Sequence, residues 1–112
     1  MKRGDIYKAR LEPHEGSEQG GERPVIVVSR DSINQYSPVV VIVPITDKSN
    51  KTRSYPSHAI LKAGEGGLTM DSLALGEQVR AISASRLVKY VGHLPPQKMA
   101  EVAAVLKIVL DL

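Results

Sequence analysis

The apolar residues of this sequence fall into short runs that recur about every ten positions, with glycine, proline or polar residues between them. Runs of this length form strands more readily than helices, which need roughly ten or more residues. They predict strands at residues 5–10, 24–28, 39–45, 58–61, 68–75, 77–82 and 89–94. Six or seven strands at this spacing are typical of a small antiparallel barrel.

The last segment of the chain has a helical spacing. Pro96 suits a first helical position, and apolar residues then recur three or four positions apart at Met99, Val102, Val105 and Val109. The final two turns are apolar on more than one face, and one core covers only one of them. We therefore expect a partner against the surplus face. Residues 31–36 predict one helical turn, capped by Ser29 or Asp31.

Composition excludes several kinds of site. The 112 residues include no cysteine, so a disulfide framework, a thiolate metal site and a cysteine nucleophile are all excluded. The length predicts a single domain, 1–112, and the lack of tryptophan and phenylalanine requires an aliphatic core. The longest apolar run, 39–45, is far shorter than a membrane span or a signal peptide. We expect a soluble, cytoplasmic protein with no membrane partner.

The net charge is +3, but the charged residues are distributed unevenly along the sequence. Residues 12–22 carry four acids and no base, whereas residues 48–62 and 78–98 carry bases and no acid. If the two basic segments lie side by side in the fold, they could bind along a phosphate backbone. If they do not, they are solvated loops and faces. Their bases are Lys48, Lys51, Arg53 and Lys62 in one, and Arg80, Arg86, Lys89 and Lys98 in the other.

A polar loop precedes the second predicted strand. It offers a hydroxyl, a carboxylate and an amide, then two glycines whose backbone can approach a ligand closely, at Ser17, Glu18, Gln19, Gly20 and Gly21. Arg23 precedes Pro24, which restricts Arg23 to extended geometry at the root of the strand. An ordinary hairpin loop, with Arg23 paired to Glu18 or Glu22, fits these residues equally well.

Two other segments carry candidate groups. Thr46 follows a buried strand, where its hydroxyl could contact a ligand or cap the next loop. In the strand predicted at 77–82, alternation places Glu77 on one face and Gln78 and Arg80 on the other, although surface ion pairing is common for such residues. The three histidines lack metal-ligand spacing, and we expect no metal site and no cofactor.

Four blocks in order resemble the MazF/PemK family of toxin endoribonucleases, and most closely its chromosomal members from Gram-positive bacteria. They are KRGDIY at 2–7, GSEQGGERPVIV at 16–27, VPIT at 43–46 and EQVRAI at 77–82. The resemblance implies a mostly β, SH3-like barrel with a C-terminal helix. It also implies a homodimer, metal-independent cleavage of single-stranded RNA to 2′,3′-cyclic phosphate and 5′-hydroxyl ends, and inhibition by a cognate antitoxin.

By position, the resemblance gives Arg23 and Thr46 the family's catalytic roles. Some plasmid-borne relatives have histidine in place of Ser17 and aspartate in place of Glu77, which leaves the general base open. Arginine stays protonated near neutral pH and cannot accept this proton, so Glu77 or Glu18 is the better chemical choice. Substrate contacts are expected from Ser17, Glu18, Gln19, Gly20, Gln78, Arg80, Lys48, Lys51 and Arg53.

Two other functions stay open at this level. Relatives with the same barrel poison DNA gyrase, but they use a tryptophan near the C-terminus that this chain lacks. A barrel that binds RNA without cleaving it is the third alternative.

Overall fold

The computed structural model describes residues 1–48 and 55–112, which contain seven strands and two α-helices. The elements run β1 (Asp5–Arg10), β2 (Glu22–Val27), α1 (Asp31–Tyr36), β3 (Val39–Asp47), β4 (His58–Leu61), β5 (Ser72–Leu75), β6 (Arg80–Ser83), β7 (Leu87–His93) and α2 (Pro96–Leu110). Short 3-10 turns lie at Glu65–Gly67, Gly76–Gln78 and Ala84–Arg86. None of the described helices is long and apolar enough to cross a membrane.

The strands form one antiparallel sheet, which confirms the mostly β fold with a C-terminal helix. Their order is β4-β5-β3-β2-β1-β7, and β6 also pairs with β3. Among the described residues the sheet does not close, so the full closure that a barrel implies is wrong. The chain turns through Ala84–Arg86 after β6, and β7 then pairs with β1.

The central strand β3 changes neighbour partway along its nine residues. Its first half, from Val39 to Ile42, pairs with β6, and its last three residues pair with β5. Pro44 lies at the junction between the two pairings, where a residue without an N–H group interrupts neither ladder. A proline within a strand typically indicates a bulge or an edge, whereas Pro44 marks this change of neighbour.

The sheet has a core on each side. On β2, Ile26 packs into the larger cluster with the buried face of α2, while Val25 and Val27 pack into a smaller cluster with Val40 and Ile42. Alternation along the strand therefore divides the two cores. The buried residues of α2 are Met99, Val102 and Val105, at the spacing that the sequence predicts, and Pro96 begins the helix as predicted.

Several predicted boundaries are wrong for local reasons. The strands predicted at 68–75 and 77–82 are shorter, because Leu68 ends the 3-10 turn at Glu65–Gly67 and a second 3-10 turn occupies Gly76–Gln78. Neither Ser29 nor Asp31 caps α1. The Ser29 hydroxyl instead donates to Asn34 Oδ1, and Asn34 Nδ2 donates to the carbonyl of Ser29 at 2.8 Å.

Candidate active site

Arg23 and Thr46 occupy neighbouring strands on the same face of the sheet. The β2–β3 register pairs Val27 with Ile42 and Val25 with Pro44. Continued by two residues, this register places Arg23 opposite Thr46, on the side of the smaller core. Both side chains line a cavity of about 200 Å³, whose other lining residues include Asp47, Thr69 and Met70.

The Arg23 side chain is positioned by one hydrogen bond. Its Nε donates to the carbonyl oxygen of Gly20 at 2.9 Å, and the side chain is partly buried. In the described part of the chain no carboxylate lies within ion-pair distance of it. The alternative pairing with Glu18 is not formed, since Glu18 Oε1 accepts from the Glu15 backbone N–H instead. The two terminal guanidinium nitrogens are therefore directed to no protein acceptor among these residues.

The His14 ring packs directly against Gly20. A β-carbon built at Gly20 would overlap Nδ1 of His14, so the imidazole occupies the space of any larger residue. His14 is held in turn by Glu12, whose carboxylate also accepts from the backbone N–H of Gly21 at 2.7 Å. The hydrogen bond from His14 lowers the pKa of the Glu12 carboxyl, and the one from Gly21 adds to this effect.

A second cavity, of about 300 Å³, lies along the same face. It is lined by Glu18, Gln19, Pro44, Glu77, Gln78, Val79 and Arg80. Pro44 precedes Thr46 by two residues on β3, so the two cavities follow one another along that strand. Arg80 of β6 is paired with Ile42 of β3, so its side chain lies on the same face of the sheet as Ile42.

Gln78 fastens the polar loop to this second cavity. Its Oε1 accepts from the backbone N–H of Gln19 at 2.7 Å, and its Nε2 donates to the carbonyl oxygen of Ser17 at 3.2 Å. The side-chain oxygen of Gln19 is buried and has no hydrogen-bond partner among the described residues. An unsatisfied buried acceptor of this kind is costly until a donor reaches it.

Glu77 is placed by a buried histidine. It belongs to the turn Gly76–Gln78 and lines the same cavity as Gln78, so the expectation of opposite strand faces is wrong. Its Oε2 lies 2.9 Å from Nε2 of His58, whose side chain is 2% exposed. The Tyr55 ring packs edge-on against His58, with centroids 5.4 Å apart.

His58 is the site residue that sequence reasoning missed. It was considered only as a metal ligand, and a single histidine at the start of a strand carries no other local signal. Its partner lies 19 positions away, and only the pairing of β4 with β5 brings the two together. Among the described residues, no three His, Asp or Glu side chains gather as a metal site would require.

Two of the basic residues make contacts within the protein. Arg86 donates to the carbonyl oxygens of Arg10 and Glu12, and Lys98 pairs with Glu101 at 2.9 Å, which raises the pKa of Lys98. Lys48 is exposed next to β3. The candidate contacts Lys51 and Arg53 lie outside the described residues.

Comparison with known proteins identifies the family. A model of the PemK-like, MazF-like toxins of type II toxin-antitoxin systems matches residues 2–110. The chain is 41% identical over 112 residues to the endoribonuclease MazF of Staphylococcus saprophyticus, covering 100% of this chain and 92% of that relative.

Solved structures agree with this match. MazF from Deinococcus radiodurans is similar with a TM-score of 0.84 and 26% identity, covering 100% of this chain and 97% of that one. A MazE-MazF complex from the same organism gives 0.77 and 26%, covering 100% and 96%. The chain therefore belongs to the PemK-like, MazF-like toxins of type II toxin-antitoxin systems.

Proposed function

We propose that this chain, an endoribonuclease toxin of the MazF type, cleaves single-stranded RNA without a metal ion. The ribose 2′-hydroxyl attacks the adjacent phosphorus, and the bond to the 5′-oxygen of the next nucleotide breaks. The products carry a 2′,3′-cyclic phosphate and a 5′-hydroxyl. The observation that carries this proposal is the placement of Arg23 and Thr46 in one cavity, on adjacent strands.

Arg23 stabilises the charged phosphorane. Its guanidinium is always protonated and its planar fork matches two phosphate oxygens. With Nε held by Gly20, the terminal nitrogens are directed away from that contact before the substrate arrives. Thr46 donates a further hydrogen bond to the same oxygens. We give it no role in proton transfer, because a threonine hydroxyl has no pKa suited to proton transfer near neutrality.

Glu77 serves as the general base for the 2′-hydroxyl. A carboxylate can accept this proton, and the contact with His58 fixes one of its oxygens. Glu18, which lines the same cavity, is the competing base. A proton must also reach the leaving 5′-oxygen, which lies on the opposite side of phosphorus from the attacking 2′-oxygen, so a group other than Glu77, or water, supplies it.

The second cavity reads a base next to the cleaved bond. Single-stranded bases are recognised by hydrogen bonds to their edges, and this cavity offers the amides of Gln19 and Gln78 together with Arg80. The unsatisfied oxygen of Gln19 suits an amino group on such a base. The basic residues Lys48, Lys51 and Arg53 supply further phosphate contacts.

The protein partners follow from the family. We propose a cognate antitoxin, since a MazE-MazF complex of Deinococcus radiodurans is similar to this chain, and a homodimer, which the family resemblance implies. An acidic segment of the antitoxin would suit the basic site.

Incubation of the purified protein with a long RNA in excess chelator tests the proposal. Discrete fragments with 2′,3′-cyclic phosphate ends are expected. Cleavage that stops in chelator and returns with a divalent cation would contradict metal independence. A mobility shift without fragments would indicate a binding protein, and trapped gyrase–DNA complexes would indicate a gyrase poison.

A further inference from the structure

Two lysines face each other across the outer pair of strands. In the β1–β7 ladder Lys8 lies directly opposite Lys89, and both side chains are exposed. Like charges in this position repel each other and destabilise a sheet. No carboxylate of the described residues lies within ion-pair distance of either ammonium group. The two ammonium groups therefore form a small positively charged patch that no carboxylate of the described residues neutralises.

The local backbone keeps this pair in place. The register of β1 against β7 shifts between Ile6 and Tyr7 and again between Lys8 and Ala9, so Tyr7–Tyr90 and Lys8–Lys89 form a two-residue block between two irregularities. Bulges of this kind re-aim side chains and are common next to active sites. The Tyr7 and Tyr90 rings meet edge-on at 5.5 Å, and Tyr90 is 54% exposed.

The block lines a cavity that adjoins the candidate active site. This cavity, of about 450 Å³, is lined by Lys8, Pro24, Gly67, Leu68, Thr69, Lys89, Tyr90 and Val91. Three of these residues, Pro24, Leu68 and Thr69, also line the cavity of Arg23 and Thr46. A strand of RNA leaving Arg23 can therefore pass over Pro24 and Thr69 and reach the lysine pair without leaving the surface.

We propose that Lys8 and Lys89 bind a phosphate of the RNA outside the cleaved bond. The lysine pair supplies charge that suits any phosphate backbone. This subsite therefore adds affinity for longer substrates without adding sequence preference. It rests on the proposed cleavage of RNA.

The test compares two RNAs with the same cleavage site, one limited to its immediate neighbours and one extended by uridines on either side. For the wild type we expect a lower KM for the extended RNA. The K8Q/K89Q variant should raise that KM about tenfold, leave kcat unchanged and leave the short RNA unaffected. A plot of log KM against the logarithm of the salt concentration should also be less steep for this variant. The slope should fall by about 0.7 for each phosphate that the variant no longer neutralises.

Controls separate the subsite from other effects. The variant K107Q removes an exposed lysine from α2 and should match the wild type. Thermal melting should show K8Q/K89Q at least as stable as the wild type, because the repulsion is gone.

Each remaining outcome has one meaning. If the wild type cleaves neither RNA, the proposed function fails and not the subsite alone. If cleavage is normal and K8Q/K89Q treats both RNAs as the wild type does, the subsite is overturned. A changed oligomeric mass with unchanged RNA affinity would assign this face to a second copy of the chain and would equally overturn it.

Discussion

At the scale of single residues, the proposed chemistry depends on a guanidinium that the protein positions but does not neutralise. Replacement of Arg23 with alanine should lower kcat about 100- to 1,000-fold, since one donor to a developing oxyanion contributes that much. The melting temperature should hardly change, because the side chain makes only the Gly20 contact among the described residues.

The conservative variant sharpens this prediction. R23K keeps the charge and loses the planar fork, so it should recover only part of the rate. Cleavage rates on one RNA, with thermal melting of each variant, provide the measurement. An R23A protein that melts normally and cleaves at the wild-type rate would remove Arg23 from the mechanism.

Glu77 and His58 differ in the kind of defect that each should produce. E77Q removes the base, so kcat should fall about 100-fold and the acidic limb of the pH–rate profile should disappear. H58Q leaves the carboxylate in place and changes its surroundings, so the rate should fall less than in E77Q.

The alternative base provides the control for this pair. E18Q should leave the acidic limb intact if Glu77 is the base. An unchanged pH–rate profile for E77Q, together with a missing limb for E18Q, would transfer the role to Glu18.

At the scale of elements, the loop before β2 acts on catalysis through Gly20. G20A should displace the partly exposed His14 ring, whose Nδ1 would otherwise overlap the new methyl group. We expect a small change in melting temperature and a roughly tenfold lower kcat, because a slight misplacement of Arg23 is costly.

The double variant G20A/H14A tests the cause. Removal of the imidazole restores the space, so kcat should return toward that of H14A. A double variant as impaired as G20A would show that the loop is disturbed in another way.

The turn that carries Glu77 depends on close packing against α2. A β-carbon at Gly76 would lie 2.5 Å from Cγ1 of Val105 and 2.7 Å from the carbonyl oxygen of Ser57. G76A should therefore lower the free energy of unfolding by about 1–3 kcal/mol. Denaturant unfolding measures this, and in a double-mutant cycle G76A/V105A should be more stable than the sum of the single variants.

Local patterns predicted some elements fully and others in part. The bounds of β1, α1 and β4 agree with the apolar runs and the proline that follows α1. The turn at Gly76–Gln78 was missed because Gly76 packs against Val105, which lies on a helix distant in sequence. The family resemblance indicated Arg23 and Thr46, and the structure brings the two together in one cavity. Their catalytic roles stay a prediction.

The interactions that sequence could not reveal are all long-range. His58 acquires its role from a residue 19 positions away, and Lys8 is significant only because β7, more than 75 positions further on, places Lys89 opposite it. In sequence, both resemble ordinary members of an alternating strand.

At the scale of the whole molecule, the exposed end of α2 is the apolar surface left for another chain. Ile108 and Leu110 are 60% and 51% exposed, and they lie on different sides of the buried residues of the same helix. The expectation of a surplus apolar face is therefore confirmed, while its partner stays a prediction. In the proposed homodimer this end of α2 contributes to the contact between subunits.

Replacement of both residues with glutamate tests that contact. I108E/L110E should halve the mass measured by light scattering after size exclusion. Y36E, which changes an exposed apolar residue on α1, serves as the control and should leave the mass unchanged. A dimer that persists in I108E/L110E would place the contact elsewhere.

The continuous strand beneath the two cavities has one more consequence. Pro44 and Thr46 are successive residues on the same face of β3, so about 7 Å of backbone separates the residue that lines the cavity of Gln19, Gln78 and Glu77 from the residue that lines the cavity of Arg23. The strand thus fixes the spacing of the two cavities. We therefore expect variation in the surrounding loops to change which nucleotide is preferred, while the offset between that nucleotide and the broken bond stays constant.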